Sequence, residues 1–162
     1  MIDAEMRALA ERVLDACRAR GWTLATAESC TGGLVAGALT EIAGSSDVID
    51  RAFVTYSNAA KMQMLGVPKD TLDKFGAVSR QTAEAMAKGA LERAGADLVV
   101  SITGIAGPGG GSAEKPVGLV HFATASRTRV IQREKRYGAI GRSEVRRVSV
   151  LEALDMLLET AR

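Results

Sequence analysis

The sequence predicts an α/β fold, a three-layer α/β/α sandwich on a mixed, mostly parallel sheet with a late antiparallel hairpin. Three observations carry that prediction. Helical and strand-like segments alternate through much of the chain, as they do in βαβ connections. Leu98-Val99-Val100-Ser101-Ile102-Thr103 is an almost continuous apolar run, which suits a strand covered on both faces. Two later strand patterns, Val117–Ala125 and about Thr128–Arg136, are separated by a short turn around Ser126-Arg127, so they should pair antiparallel.

The elements follow in order. Ile2, Met6, Leu9, Val13 and Cys17 recur at steps of three and four, one face of an amphipathic helix over residues 2–20. Asp3 is placed to cap that helix and Gly21 to end it, and Cys17 is expected to be a core thiol. Trp22–Thr26 reads as a strand. After the turn Ala27-Glu28-Ser29-Cys30-Thr31-Gly32-Gly33 comes an Ala-rich helix over 34–42, then loop chemistry at Ala43–Asp47. Ala52–Tyr56 is the next strand. Ser57 or Asn58 can cap a helix that runs to Leu65 and is stopped by Gly66 and Pro68, with a short helical piece beyond. Ser79 caps a longer helix ended by Gly95, with Ala83, Met86, Ala90 and Leu91 inward, and its alanines predict close packing. A last helix, about Ser143 to Thr160, turns Val148, Leu151, Leu154 and Leu158 inward. No internal repeat or low-complexity linker breaks the 162 residues, so 1–162 is expected to be one domain.

Composition narrows the function classes. The chain is 25% charged and 47% hydrophobic, ordinary for a globular protein. A net charge of +2 is too mild to argue for nucleic acid, although basic residues gather between Arg127 and Arg147. Cys17 and Cys30 form neither a disulfide framework nor a zinc pattern, which suits a reducing cytosol. The one histidine, His121, excludes a His-rich metal site and reads as structural within its strand. The first residues lack the order of a signal peptide, and no apolar run is long enough to span a membrane.

The chemistry gathers at glycine-rich turns. Ser29, Cys30 and Thr31 sit where a strand gives way to a helix, a place that offers backbone N–H groups and the positive end of a helix dipole. A nucleophile there gains an oxyanion site; equally, Ser29 or Thr31 can be a plain N-cap. Cys30 is a rival nucleophile, because helix N-termini stabilise thiolates. The loop Gly104–Gly111 has neither a P-loop ending nor a following helix, so it reads as a side-chain-poor wall able to meet an anionic or planar ligand. Lys115 and Arg142 can add charge to it. Lys61 falls in the first turn of its helix, where the dipole and partial burial lower a lysine pKa and suit it to act as a general base. The plain alternative is a surface lysine. Tyr56 stands close enough in sequence to relay a proton or hold that lysine.

These motifs, together with Val54-Thr55-Tyr56-Ser57-Asn58, Gly76-Ala77-Val78-Ser79, Thr103-Gly104-Ile105-Ala106-Gly107-Pro108 and Glu114-Lys115-Pro116-Val117-Gly118, resemble the CinA C-terminal domain family. The likeness runs from about residue 7 to the end. Stand-alone members of that family deamidate nicotinamide mononucleotide in pyridine nucleotide recycling. The resemblance therefore implies hydrolysis of its carboxamide to nicotinate mononucleotide and ammonia, with no metal and no cofactor. It implies Ser29 as nucleophile, Lys61 as base and Tyr56 as assisting hydroxyl. Thr31, Gly32 and Gly33 become the oxyanion turn, and Asn58, Thr103, Gly104 and the loop to Gly107 the substrate pocket. Arg142 falls where the family has an arginine, although the preceding Tyr137-Gly138-Ala139-Ile140-Gly141 departs from the common Gly-Asp-Arg pattern; the phosphate is its expected partner. Two other readings stand beside this one: a nucleotide-binding or regulatory module without hydrolysis, and a thiol enzyme using Cys30. The expected partners are a small-molecule nucleotide and, from the Ala- and Gly-rich helix surfaces, a second copy in a homodimer, with neither nucleic acid nor membrane.

Overall fold

The structure, a computed structural model, describes residues 2–162. Five strands, β1 (Leu24–Glu28), β2 (Ile49–Val54), β3 (Leu98–Gly104), β4 (Leu119–Ser126) and β5 (Val130–Arg136), form one sheet in the order β2-β1-β3-β4-β5. β1 pairs parallel with β2 and β3, whereas β4 runs antiparallel to both β3 and β5. Among the described residues the α-helices are α1 (Ala4–Arg20), α2 (Leu34–Thr40), α3 (Asn58–Leu65), α4 (Lys69–Phe75), α5 (Arg80–Ala94) and α6 (Arg142–Ala161), with a 3-10 turn at Ser45–Asp47. The α/β class and the late hairpin expected from the sequence are both present.

Alternation along the strands builds the layers, because successive side chains leave opposite faces. Leu24, Leu98, Val100, Ile102 and Phe122 join the core of α1, α2 and α6. Ala25, Ala27 and Val99 instead meet Leu65, Leu72, Met86 and Ala90 from α3, α4 and α5. Small residues dominate this second face. Ala83 and Ala87 oppose Ala123 and Ala125, so α5 lies close to the sheet, as its alanines predict. Gly89 takes the closeness further: a β-carbon there would stand 1.8 Å from the Leu65 carbonyl oxygen. The end of α3 thus rests on the backbone of α5.

The caps are local chemistry. Asp3 accepts the Met6 N–H at 2.9 Å, Ser57 the Ala60 N–H at 3.0 Å and Ser79 the Thr82 N–H at 3.1 Å. Between the two candidates for α3, the cap is therefore Ser57. Cys17 is buried among the core residues of α1, and burial pushes its thiol up to about 11.

Three expectations shift. β1 begins at Leu24, because the Trp22 N–H is spent on the Cys17 carbonyl in closing α1. β2 lies at 49–54 rather than 52–56, since its pairing with β1 starts at Ile49, and Thr55 and Tyr56 fall beyond it. On α6 the inner face is Val145, Ser149, Val150, Ala153, Leu154 and Leu157, with Val148 and Leu151 only half-buried. That helix packs on α1 and on the sheet at once, and two neighbours together decide which residues face inward.

From β1 the chain leaves through α2 on one face to β2, and returns through α3, α4 and α5 on the other face to β3. A crevice opens at the carboxyl ends of β1 and β3, where an open α/β sheet binds its ligands. Among the described residues no helix is long and apolar enough to cross a membrane.

Candidate active site

Just past β1, the Ser29 N–H still bonds the Ile102 carbonyl at 2.9 Å, and the Gly32 N–H closes the turn on the Ser29 carbonyl at 3.0 Å. Gly32 and Gly33 adopt φ values of +59° and +99°, which a β-carbon disfavours. The turn leaves Ser29 only 8% exposed at the end of the crevice.

Lys61 arrives from α3, whose start is set by the Ser57 cap. Its Nζ lies 2.9 Å from the Thr55 carbonyl and 3.0 Å from Ser29 Oγ. The residue is 1% exposed, and among the described residues no carboxylate pairs with it. Burial pushes the amine below the ordinary lysine value of 10.5, opposed in smaller measure by Cys30. A neutral amine donates to the Thr55 carbonyl and keeps its lone pair for the Ser29 hydroxyl. That is the arrangement of a nucleophile with its base.

The two side chains share a cavity of about 270 Å³ with Cys30, Asn58, residues 103–107 and Arg142. Thr103 donates its hydroxyl to the Ala77 carbonyl at 2.7 Å and so joins the end of β3 to the loop before α5. Gly104 is packed against β4, where a β-carbon would meet Val120 at 2.8 Å. Arg142, the first residue of α6, spans the mouth: one nitrogen donates to the Gly107 carbonyl at 2.9 Å, the other to the Tyr56 hydroxyl at 2.8 Å. Tyr56 is 59% exposed, and its hydroxyl meets Arg142 rather than Lys61.

The expected oxyanion turn needs correction. Thr31, Gly32 and Gly33 do not line the cavity. The carboxylate of Glu28, fully buried, takes the Thr31 hydroxyl at 2.6 Å and the N–H groups of Gly33, Val35 and Ala36 at 3.0, 3.1 and 2.9 Å. The N-terminus of α2 is therefore already occupied by a negative charge, and the Gly32 N–H is spent within the turn. The N–H groups of Cys30 and Thr31, by contrast, have no hydrogen-bond acceptor among the described residues, and of these two residues Cys30 lines the cavity.

Burial, with the same carboxylate in a smaller part, removes the advantage expected for a thiolate. Cys30 is 5% exposed, and burial first, with Glu28 adding to it, pushes its thiol up to about 12. His121 stands apart, buried in β4 with Nε2 3.6 Å from Glu134; burial lowers its pKa. It lines a larger groove of about 720 Å³ between α5 and β5, which contains neither Ser29 nor Lys61. Lys115 also lies outside the cavity, bonded to the Phe75 carbonyl.

Two residues at the site had no role assigned from the sequence. Glu28 is one; the signal was a lone carboxylate ending an apolar strand just before a helix. Arg146 is the other, donating to the carbonyls of Cys30 and Thr31 at 3.1 and 3.2 Å. It lies one helical turn after Arg142, so both face the same side of α6.

The chain resembles known proteins over nearly its whole length. The model of the CinA C-terminal domain matches residues 6–161. Nicotinamide-nucleotide amidohydrolase PncC of Escherichia coli K12 is 53% identical over 158 residues, covering 97% of this chain and 95% of that protein. A CinA-like protein of Synechococcus sp. RCC307 is 50% identical over 155 residues, which cover 95% of this chain but 37% of that longer protein. Among solved structures, the competence/damage inducible protein CihA of Agrobacterium tumefaciens has a TM-score of 0.98 at 58% identity, covering 100% of this chain and 99% of that one. A CinA superfamily protein of Klebsiella pneumoniae has a TM-score of 0.91 at 38% identity, with 96% and 97% covered. The chain belongs to the CinA C-terminal domain family.

Proposed function

We propose that this protein hydrolyses the carboxamide of nicotinamide mononucleotide, as a single amidase domain over residues 1–162. The observation that carries the reading is the buried contact of 3.0 Å between Lys61 Nζ and Ser29 Oγ. The name of the Escherichia coli relative, a nicotinamide-nucleotide amidohydrolase, supports the substrate.

In the reaction, neutral Lys61 takes the hydroxyl proton as Ser29 Oγ bonds to the amide carbon. The tetrahedral intermediate then expels ammonia, which leaves with the proton from Lys61. Water adds to the acyl-serine, Lys61 again accepting the proton, and the ester bond breaks to free nicotinate mononucleotide and the serine hydroxyl. Arg142 has donors beyond the two it spends on Gly107 and Tyr56, so it is placed to take the substrate phosphate at the mouth. Tyr56 acts by holding Arg142. Asn58, Thr103, Gly104 and Gly107 shape the pocket around the pyridine and ribose. Exposed Val54, Met64 and Ile140 support a homodimer, which light scattering tests, and two free thiols suit the cytoplasm.

The direct test is ammonia release from nicotinamide mononucleotide by the wild type and Ser29→Ala. Release by the wild type and none by the folded variant is the expected result. Equal release by both would remove Ser29 from the mechanism, and none by either would remove the activity.

A further inference from the structure

Arg146 and Arg147 are neighbours on α6 with different company. Arg147 is held by the carboxylates of Asp3 and Glu5. Arg146 pairs with no carboxylate among the described residues and spends its guanidinium on the Cys30 and Thr31 carbonyls. Those carbonyls belong to the turn that carries Ser29. A peptide unit is planar and, here, trans, so a carbonyl and the next residue's N–H point in opposite directions. The Ser29 carbonyl is drawn to the Gly32 N–H, which sends the Cys30 N–H the other way. Arg146 draws the next two carbonyls to its own side, sharing the Thr31 carbonyl with the Leu34 N–H at 3.1 Å and holding the Cys30 carbonyl alone. Two carbonyl dipoles are thereby kept from a developing oxyanion, and of the two unspent N–H groups, those of Cys30 and Thr31, the first is on a residue that lines the cavity.

We propose that Arg146 is a positioning residue for amide hydrolysis: its guanidinium holds the Cys30 and Thr31 carbonyls away from the cavity, so that the Cys30 N–H is the oxyanion donor. The proposal rests on the amidase reading above. It also gives the turn a second fastening opposite Glu28, which holds the Thr31 hydroxyl and the start of α2. The guanidinium can be reached without entering the cavity, because a groove of about 250 Å³ beside Ile2, Met6 and Leu34 opens on Arg146.

The test measures ammonia release from nicotinamide mononucleotide by the wild type, Arg146→Gln, Arg146→Lys and Arg146→Ala. Arg146→Gln should lower kcat about 10- to 100-fold, short of the full loss of an oxyanion donor, with KM within about twofold. Arg146→Lys, with its charge and a single point of contact, should fall between it and the wild type. Free guanidinium ion should restore kcat to Arg146→Ala. A substrate analogue with an aldehyde in place of the carboxamide adds Ser29 Oγ–H across its carbonyl and presents an oxygen at the same place. Its affinity should fall in the ratio of kcat/KM. An unchanged kcat in Arg146→Gln, or a loss confined to KM, overturns the proposal. Should Arg146→Gln fail to fold, the same readouts on Arg146→Lys decide. A wild type that releases no ammonia would instead overturn the amidase reading, and this proposal with it.

Discussion

The Gly33 amide donates to the Glu28 carboxylate at 3.0 Å, five residues apart in sequence and on either side of the Ser29 turn. The N–H groups of Val35 and Ala36 follow it, so the amino end of α2 is filled from inside the chain. Glu28→Gln keeps the shape but loses the charge and turns an amide NH2 toward groups that are themselves donors. Urea unfolding should show a loss of about 1.5–3 kcal/mol, the range for hydrogen bonds to a charged group. An unchanged midpoint would mean that the carboxylate is dispensable to the turn.

Lys61 must be neutral to accept the serine proton, and burial lowers its pKa from 10.5. Activity should therefore rise with pH and level off with an apparent pKa below that of a free lysine. A pH profile of kcat/KM for ammonia release checks this. A limb that keeps rising until the ordinary lysine value would contradict it.

The same burial has a consequence for stability. A lysine whose pKa is lower in the folded state than in the unfolded chain holds fewer protons when folded, so stability rises as pH climbs from the folded value toward 10.5. Below that window both states carry the ammonium, and the folded chain bears the full cost of burying it. Lys61→Met should therefore abolish turnover while raising stability by about 0.5–2 kcal/mol, in the manner of active-site substitutions that trade function for stability. Calorimetric unfolding at neutral pH reads the sign directly.

Cys30→Ala separates the hydroxyl from the thiol. With the thiol held near 12 and buried, the variant should keep ammonia release of the same order as the wild type. Its stability should fall by about 1 kcal/mol, as is usual for a buried substitution. Complete loss of turnover in a folded Cys30→Ala would give the reaction to the thiol.

Much of the architecture was legible because it is written in neighbouring residues. Asp3, Ser57 and Ser79 cap helices through an N–H three positions on, and Gly21, Gly66 and Gly95 end them in the left-handed region. The apolar run at β3 needed no partner to be read as a doubly covered strand. Ser29 and Lys61 could be named, but their meeting depends on β1 and α3 lying side by side across 32 residues. What escaped the sequence was set by distant company. The inner face of α6 is chosen by α1 and the sheet, and Arg146 reaches carbonyls 115 and 116 residues earlier. The Gly33 amide could not be seen to be spent, because nothing in the motif says which way the carboxylate of Glu28 will point.

The seat of α3 on Gly89 bears on how the contact between Lys61 and Ser29 could be tuned. Where two helices touch main chain to main chain, there is no intervening side chain whose size could be traded to bring the amine nearer or set it back. The place of the Lys61 amine is therefore inherited in part from the spacing of two helices, and any larger residue at position 89 would be felt further along α3 as a displacement of that amine from Ser29.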